Sequence, residues 1–159
     1  MVRKARKSYE TPTRGWQQDR IDQETDVLYD YGLKNKREVW KSESKIRDFR
    51  REARKLNATE DEEREQQLIN KLHNLGLVTE DADLTDVLDL DLEDILERRL
   101  QTIVYEKGLA NTMKQARQFI THGHIMIEDN VVDVPSYLVT TEEENNINVA
   151  PGSKEIVQE

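Results

Sequence analysis

The sequence predicts an α+β protein, in which a helical N-terminal domain precedes a small α/β module made of a two-helix hairpin and a short antiparallel sheet. Apolar side chains recur at three- and four-residue steps as far as Ile120, which is the spacing of a buried helix face. From His124 onward, short runs alternate apolar and polar residues, as half-buried strands do. Hydrophobic residues make up 35% of the 159 residues, so the predicted core is lean.

Four segments follow from this pattern. We predict a basic extended arm at residues 1–16 and the helical domain at residues 17–95. The module is predicted at residues 96–150 and a tail at residues 151–159. In the helical domain, apolar spacing predicts one helix over 17–31 and a second over about 36–56. The second helix has a buried stripe formed by Ile46, Phe49, Ala53 and Leu56.

Two further helical stretches are expected before the module. Thr59 and Glu62 have the spacing of a capping box, which predicts a helix start, and Gly76 predicts its end. Residues 79–95 are acidic and rich in leucine, and they predict a short helix and a linker packed against the other helices.

The module begins with a predicted helix from Leu96 to about Val104, which Gly108 ends. Thr112 and Gln115 predict the capped start of a second helix that ends at Gly123. Its apolar residues would face the core, while Lys114, Arg117 and Thr121 would form a basic face on the outside.

A small sheet is predicted to follow the hairpin. His124 to Glu128 predict a strand, and Asp129-Asn130 a two-residue turn. Further strands are predicted at residues 131–134, 137–139 and 147–149, with an exposed acidic loop at 140–146.

The net charge is −9, but the charge is unevenly distributed. Residues 1–55 carry 16 basic and 10 acidic side chains, whereas residues 56–97 carry 2 basic and 14 acidic. Residues 98–159 carry 6 basic and 9 acidic. The overall sign therefore hides a basic front half, which is able to meet an anionic partner.

The sequence contains no motif for catalysis. A Gly-rich phosphate loop, a nucleophile elbow and a zinc-protease motif are all missing, and the chain has no cysteine for a disulfide or thiolate site. His122 and His124 lack further ligands nearby in sequence, so neither a metal nor a cofactor is expected. The sequence shows no secretory signal and no membrane-spanning stretch, so we expect a cytoplasmic protein without a small-molecule substrate.

The basic residues leave two interpretations open. Those of the arm could bind RNA phosphates or could belong to a disordered terminus, and the aromatic rings of Tyr9 and Trp16 could stack on bases or pack on the protein body. The second helix carries a basic face that could contact phosphate or only solvent, and the hairpin face is solvated by default. The residues of that helix face are Lys45, Arg47, Arg50, Arg51, Arg54 and Lys55.

One stretch resembles a known RNA-binding module, the one named after ribosomal protein S-four of the small subunit. The matching residues are LERRL at 96–100, Val104-Tyr105, residues 109–120 and Gly123-His124-Ile125. Pseudouridine synthases, bacterial-type tyrosyl-tRNA synthetases and heat-shock RNA-binding proteins share this module, so the stretch alone does not decide among them.

The front of the chain narrows the resemblance. RKSYETPTRGW and YGLKNKREVWK resemble the archaeal and eukaryotic form of the ribosomal protein S-four family, and VVDVPSYLV continues the match. The resemblance implies a structural, non-enzymatic protein that binds small-subunit ribosomal RNA beside neighbouring ribosomal proteins. It also implies an early role in subunit assembly and a contribution to decoding accuracy where messenger RNA enters.

The resemblance and the basic helix face together give a set of expected RNA contacts. Lys and Arg would meet phosphates, Thr112 and its helix start would offer donors, and the histidines would donate or stack. Arg98 or Arg99 could instead be tied to a neighbouring acid. The expected contacts are Arg3, Lys4, Lys7, Tyr9, Arg14, Lys34, Lys36, Arg37, Arg47, Arg50, Arg51, Arg54, Arg98, Arg99, Thr112, Lys114, Arg117, His122 and His124.

Two departures from the family pattern stand out. Some bacterial members bind zinc through N-terminal cysteines, which this chain lacks. The family is also usually basic, whereas residues 60–94 and 142–144 are acidic here. We therefore expect a halophilic archaeal origin, because molar salt screens phosphate attraction within about 3 Å and acidic side chains keep a surface hydrated.

Two competing functions remain. The chain could be the RNA-recognition part of an RNA-modifying or RNA-charging enzyme, although residues 1–95 show no catalytic motif. It could also be an acidic partner-binding protein without an RNA role, which the pI near 5.0 favours.

Overall fold

The computed structural model describes residues 7–59 and 61–153, and it confirms the α+β class. The described elements are α1 (Gln18–Asp30), α2 (Lys36–Thr59), α3 (Glu62–Asn74), α4 (Leu84–Asp89), α5 (Leu92–Glu97), α6 (Leu100–Glu106), α7 (Met113–Thr121), β1 (Ile125–Ile127), β2 (Asn130–Val131), α8 (Thr141–Glu144) and β3 (Ile147–Val149). The expected Arg3 and Lys4 contacts, and most of the tail, lie outside the described residues.

The helical part is built around α2. Its predicted stripe faces inward, with Ile46, Ala53 and Leu56 buried and Phe49 half-buried. Leu68 and Leu72 of α3 join one end of this stripe, together with apolar residues of α4, in a single hydrophobic cluster. Burial of one stripe on a long amphipathic helix therefore organises the N-terminal part of the core.

The module has a separate hydrophobic cluster. In it α6 and α7 pack on a three-stranded antiparallel sheet with strand order β2-β1-β3. Met126 pairs with Val131 on one side of β1, and Ile125 pairs with Val149 on the other. The two clusters agree with a two-part organisation, while the domain boundaries at residues 16, 95 and 150 stay predictions.

The first helix of the module is shorter than predicted. α5 ends at Glu97 and α6 begins at Leu100, so the helix expected from Leu96 onward is broken at Arg98 and Arg99. Arg99 is extended and forms an antiparallel bridge with Leu138, and the Leu100 N–H donates to the Tyr137 carbonyl at 2.8 Å. Apolar spacing missed the break because the residues on both sides of it are buried.

Two predicted helix starts had different outcomes. The Thr112 hydroxyl accepts a hydrogen bond from the Gln115 N–H at 3.1 Å, which confirms the start of α7. The capping box at Thr59 was wrong, because Thr59 ends α2 and its hydroxyl donates to the Lys55 carbonyl. Asp61 caps α3 instead, since its side chain accepts from the Arg64 N–H.

The sheet is also smaller than predicted. Ile127 pairs with Asn130, so the turn consists of Glu128 and Asp129 and lies one residue earlier than expected. Glu128 takes the positive φ of 54° that the tight turn requires. The strand expected over 131–134 stops at Val131, and the strand expected at 137–139 is only the bridge at Leu138.

The acidic loop expected at 140–146 contains the short helix α8. Its start is a reciprocal capping box, in which the Thr140 hydroxyl accepts from the Glu143 N–H and the Glu143 carboxylate accepts from the Thr140 N–H. Acidic residues in a first helical turn are favourable beside the positive end of the helix dipole.

A close contact at Gly32 yields a stability prediction. Gly32 has φ of +56°, and a Cβ there would lie 2.8 Å from the Met113 Cβ. Gly108 has a similar φ of +70° but open space around it. Alanine at Gly108 should cost about 1–2 kcal/mol through its backbone conformation, and alanine at Gly32 about 1–3 kcal/mol more through overpacking. Urea unfolding of both variants tests this, and equal losses would contradict the predicted contact.

Candidate nucleic-acid interface

A half-buried carboxylate on α2 connects the helical part to the module. Glu38 accepts from Arg99 Nη2 at 2.6 Å and from Arg117 Nη2 at 2.7 Å and Nη1 at 3.2 Å. The side chain of Arg99 is only 3% exposed, and that of Glu38 is 14% exposed. We call Glu38, Arg99, Gln101 and Arg117 the Glu38 cluster.

The charged state of Glu38 is stabilised by its partners. Burial by itself raises the pKa of Glu38, but the hydrogen bonds and charges of Arg117 and Arg99 outweigh it and lower the pKa below its ordinary value of 4.5. The carboxylate therefore stays ionised at neutral pH, and it compensates two arginines that would otherwise be partly buried without a counter-charge.

Gln101 completes the cluster with uncharged hydrogen bonds. Its side chain is fully buried, and Nε2 lies within hydrogen-bond distance of the carbonyls of Tyr31 (3.1 Å), Gly32 (3.0 Å) and Met113 (2.9 Å). Its Oε1 accepts from Arg117 at 3.3 Å. The turn between α1 and α2 is thus fixed against the start of α7.

This contact brings basic residues of both halves to one place. Lys34 and Arg37 follow the Tyr31-Gly32 turn, while Thr112 and Lys114 flank Met113, and all four are exposed. The first N–H groups of α7 point away from the helix without an intrahelical acceptor, as at any helix start. The place offers cations, a hydroxyl and backbone donors, which together suit a phosphate backbone.

A second carboxylate, which is buried, fixes α1 on α2. Glu24 is 5% exposed and is bound by Arg20 at 3.1 Å, by Lys36 at 3.3 Å and by the indole N–H of Trp40 at 2.9 Å. Lys36 also donates to the Ile21 carbonyl. The Lys36 side chain, which was expected to contact RNA, is therefore bound by other groups of the protein.

The described part of the arm lies along α2. Tyr9 packs on Trp40 with ring centroids 6.0 Å apart, and Glu10 forms an ion pair with Arg47. Of the two open interpretations, packing on the body therefore applies to Tyr9. Trp16 is 96% exposed, so its ring remains available to a base.

The basic face of α2 is partly neutralised. Arg47 pairs with Glu10, Arg51 with Asp48 at 3.1 Å, and Arg50 lies 3.5 Å from Asp91 while donating to the Leu90 carbonyl. Arg54 is exposed beside them.

The remaining predicted contacts divide between surface and interior. Arg98 pairs with Glu144 at 2.8 Å and Arg99 belongs to the Glu38 cluster, so the alternative of a structural role applies to both. Arg117, predicted on an outward basic face, turns inward onto Glu38, which corrects that prediction. His122 is exposed, and His124 Nδ1 lies 2.8 Å from the Ser153 hydroxyl.

Sequence reasoning missed the acids and the amide that organise this surface. Glu38 is the one acidic residue in the run from Tyr31 to Ser42, and Gln101 is a polar residue in a helix whose Leu100, Ile103 and Val104 are apolar. Both residues stand out in the sequence, but their partners lie 61 or more residues away in the chain and could not be predicted from local patterns.

Within residues 7–59 and 61–153, no group of three His, Cys, Asp or Glu side chains is arranged to bind a metal ion. No helix in those ranges is long and apolar enough to cross a membrane.

The sequence is similar to one family of known proteins. The S4 domain family matches residues 98–145. Small ribosomal subunit protein uS4 of Nanoarchaeum equitans is 50% identical over 153 residues, covering 93% of this chain and 85% of the relative. That of Methanococcus aeolicus is 51% identical, covering 95% and 88%, and that of Halobacterium salinarum is 48% identical, covering 89% and 83%.

The Glu38 cluster yields a stability prediction. Glu38→Gln leaves two arginines without their counter-charge, and breaking a buried ion pair from one side costs about 3–5 kcal/mol. Glu52→Gln removes the same charge from an exposed position on the same helix and should have little effect. Chemical denaturation measures both, and similar stabilities for the two variants would contradict the structural role of Glu38.

The same carboxylate predicts a pH dependence. Because its folded pKa lies below 4.5, Glu38 stabilises the fold above that pH, and this contribution is lost as the pH falls through the lower folded value. The stability gap between wild type and Glu38→Gln should therefore be full near neutral pH and shrink in acid. A gap that stays constant in a pH series of unfolding would rule out this assignment.

Proposed function

The chain belongs to the uS4 family of small ribosomal subunit proteins, and from this membership we propose that it is a structural component of the small ribosomal subunit that binds ribosomal RNA directly. The observation that carries the proposal is the Glu38 cluster, which joins the helical part to the module and presents basic residues of both at one place. Its cellular location would be the small subunit in the cytoplasm, beside neighbouring ribosomal proteins.

The proposed RNA contacts are the exposed members of the expected set. They comprise Lys7, Arg14, Lys34, Arg37, Arg54, Thr112, Lys114 and His122, with the partly buried His124 beside them. Arg47, Arg50 and Arg51 can join them while keeping contacts with the protein. Trp16 adds an exposed aromatic ring that can stack on an unpaired base.

Other residues of the expected set would act on RNA only indirectly. Arg98, Arg99, Arg117, Lys36 and Tyr9 keep the surface in shape through their contacts within the protein. We further propose the family-implied roles in early subunit assembly and in decoding accuracy where messenger RNA enters.

An enzymatic role has less support. This chain covers 81–90% of the length of relatives that are named ribosomal proteins. Ribosomal proteins of this kind are a structural class. None of these relatives therefore supports the alternative that the chain is the RNA-recognition part of an enzyme.

Lys114 gives a direct test of RNA binding. Arg117 is unsuitable because its loss would disturb the Glu38 cluster. Lys114→Gln should weaken binding to small-subunit ribosomal RNA and lower the slope of log affinity against log salt by about one. Lys71→Gln removes an equal charge from an exposed position on the acidic helix α3 and serves as the control. Equal effects of the two variants in filter-binding titrations would contradict the assigned surface.

The acidic surface supports a further proposal of salt adaptation. Acidic side chains from Glu62 to Glu93 are mostly exposed, as residues that hydrate a surface must be. If binding relies on shape, hydrogen bonds and stacking, affinity for ribosomal RNA should persist into molar KCl, where screening acts within about 3 Å. A titration series from low to molar KCl tests this, and a collapse of binding over that range would contradict it.

A further inference from the structure

A small pocket beside the Glu38 cluster has the character of an anion site. It lies between α2 and the segment around residues 136–138, and its volume is about 80 Å³. A single water molecule needs about 10–15 Å³, so the pocket has room for a larger group. The lining residues are Glu38, Lys41, Ser42, Lys45, Ile95, Arg99, Ser136 and Leu138.

Positive charge is in excess around this pocket. Lys41, Lys45 and Arg99 line it, whereas Glu38 is its one acidic lining residue. Both oxygens of Glu38 already accept hydrogen bonds from Arg99 and Arg117. Lys45 is exposed overall, but desolvation by the surrounding protein lowers its pKa, and the positive charges of Arg99 and Lys41 lower it further, so the cations act on one another. A bound anion would relieve this repulsion.

Arg99 supplies the second, independent observation. The residue is 3% exposed, and its Nε is buried without a hydrogen-bond partner, although its Nη2 is bound to Glu38. A buried guanidinium N–H without an acceptor is costly. Since Arg99 lines the pocket, an acceptor oxygen placed there is the group that would satisfy it.

We propose that this pocket binds a single phosphate group, which Lys41, Lys45 and the Nε of Arg99 contact and the hydroxyls of Ser42 and Ser136 orient. The phosphate could belong to the ribosomal RNA backbone or be free in solution, and both present the same oxygens. The RNA source rests on the proposed function, whereas the pocket itself does not.

The first test uses inorganic phosphate and thermal unfolding of the full chain. Phosphate, compared with chloride at equal ionic strength and pH, should raise the Tm of the wild type, because a ligand that binds only the folded state stabilises it. Lys45→Gln and Lys41→Gln should weaken phosphate binding about tenfold, since each removes a charged hydrogen bond. Lys55→Gln, on the same helix outside the pocket, should keep the shift.

The second test identifies the source of the phosphate. If it belongs to RNA, Lys45→Gln should weaken binding to full-length small-subunit ribosomal RNA, and added inorganic phosphate should compete with RNA for the wild type but not for this variant. Unchanged RNA affinity together with a lost Tm shift would assign the pocket to free phosphate.

The outcomes separate this inference from the proposed function. A wild type that gains no Tm beyond the chloride control, or a Lys45→Gln variant that keeps the full gain, overturns the phosphate pocket even if RNA binds. A wild type that fails to bind ribosomal RNA, yet is stabilised by phosphate through Lys45, contradicts the proposed function and leaves the pocket supported.

Discussion

The arrangement of the molecule depends on a carboxylate, Glu38, that is bound by arginines from two different places in the module. Arg99 comes from the break between α5 and α6, and Arg117 comes from the middle of α7. Because burial penalises each of these charges, the three groups are favourable only together. The amide of Gln101 adds hydrogen bonds to the turn before α2, so the helical part and the module meet in a defined orientation. The proposed RNA surface is a consequence of this orientation, since its basic residues lie on both sides of the contact.

This constraint also explains how an acidic chain can bind an acidic polymer. Acidic side chains carry the net charge of −9, but three of those near the proposed surface are paired: Glu24 with Arg20 and Lys36, Glu38 with Arg99 and Arg117, and Glu10 with Arg47. Exposed acids are most numerous between Asp61 and Glu97, where Arg50 and Arg64 offset only a few of them, and α1 carries a smaller exposed group at Asp19, Asp22, Asp26 and Asp30. The few exposed cations near the Glu38 cluster would therefore bind RNA as individual contacts at defined positions, and they would add little long-range electrostatic attraction.

Local sequence signals predicted much of the fold. The α+β class, α1, α2 and the capped start of α7 follow from apolar spacing and one hydroxyl, which act within a few residues. The break at Arg98-Arg99 could not be predicted in this way, because it depends on a bridge to Leu138, about 40 residues away. The same limit explains the candidate site. Sequence alone identified the basic residues, but the inward turn of Arg117 and the burial of Arg99 depend on Glu38, which contacts them only in the folded chain.

The central claim is that one RNA surface is built from both halves of the chain at the Glu38 cluster. Because the chain contains no cysteine, Lys34→Cys and Lys114→Cys each provide a single attachment point for an iron chelate that cleaves nearby RNA. The two positions flank the contact between the α1–α2 turn and the start of α7. Cleavage of bound small-subunit ribosomal RNA from the two positions should map to overlapping nucleotides. Cleavage from only one position, or from both at distant regions of the folded RNA, would contradict a shared surface.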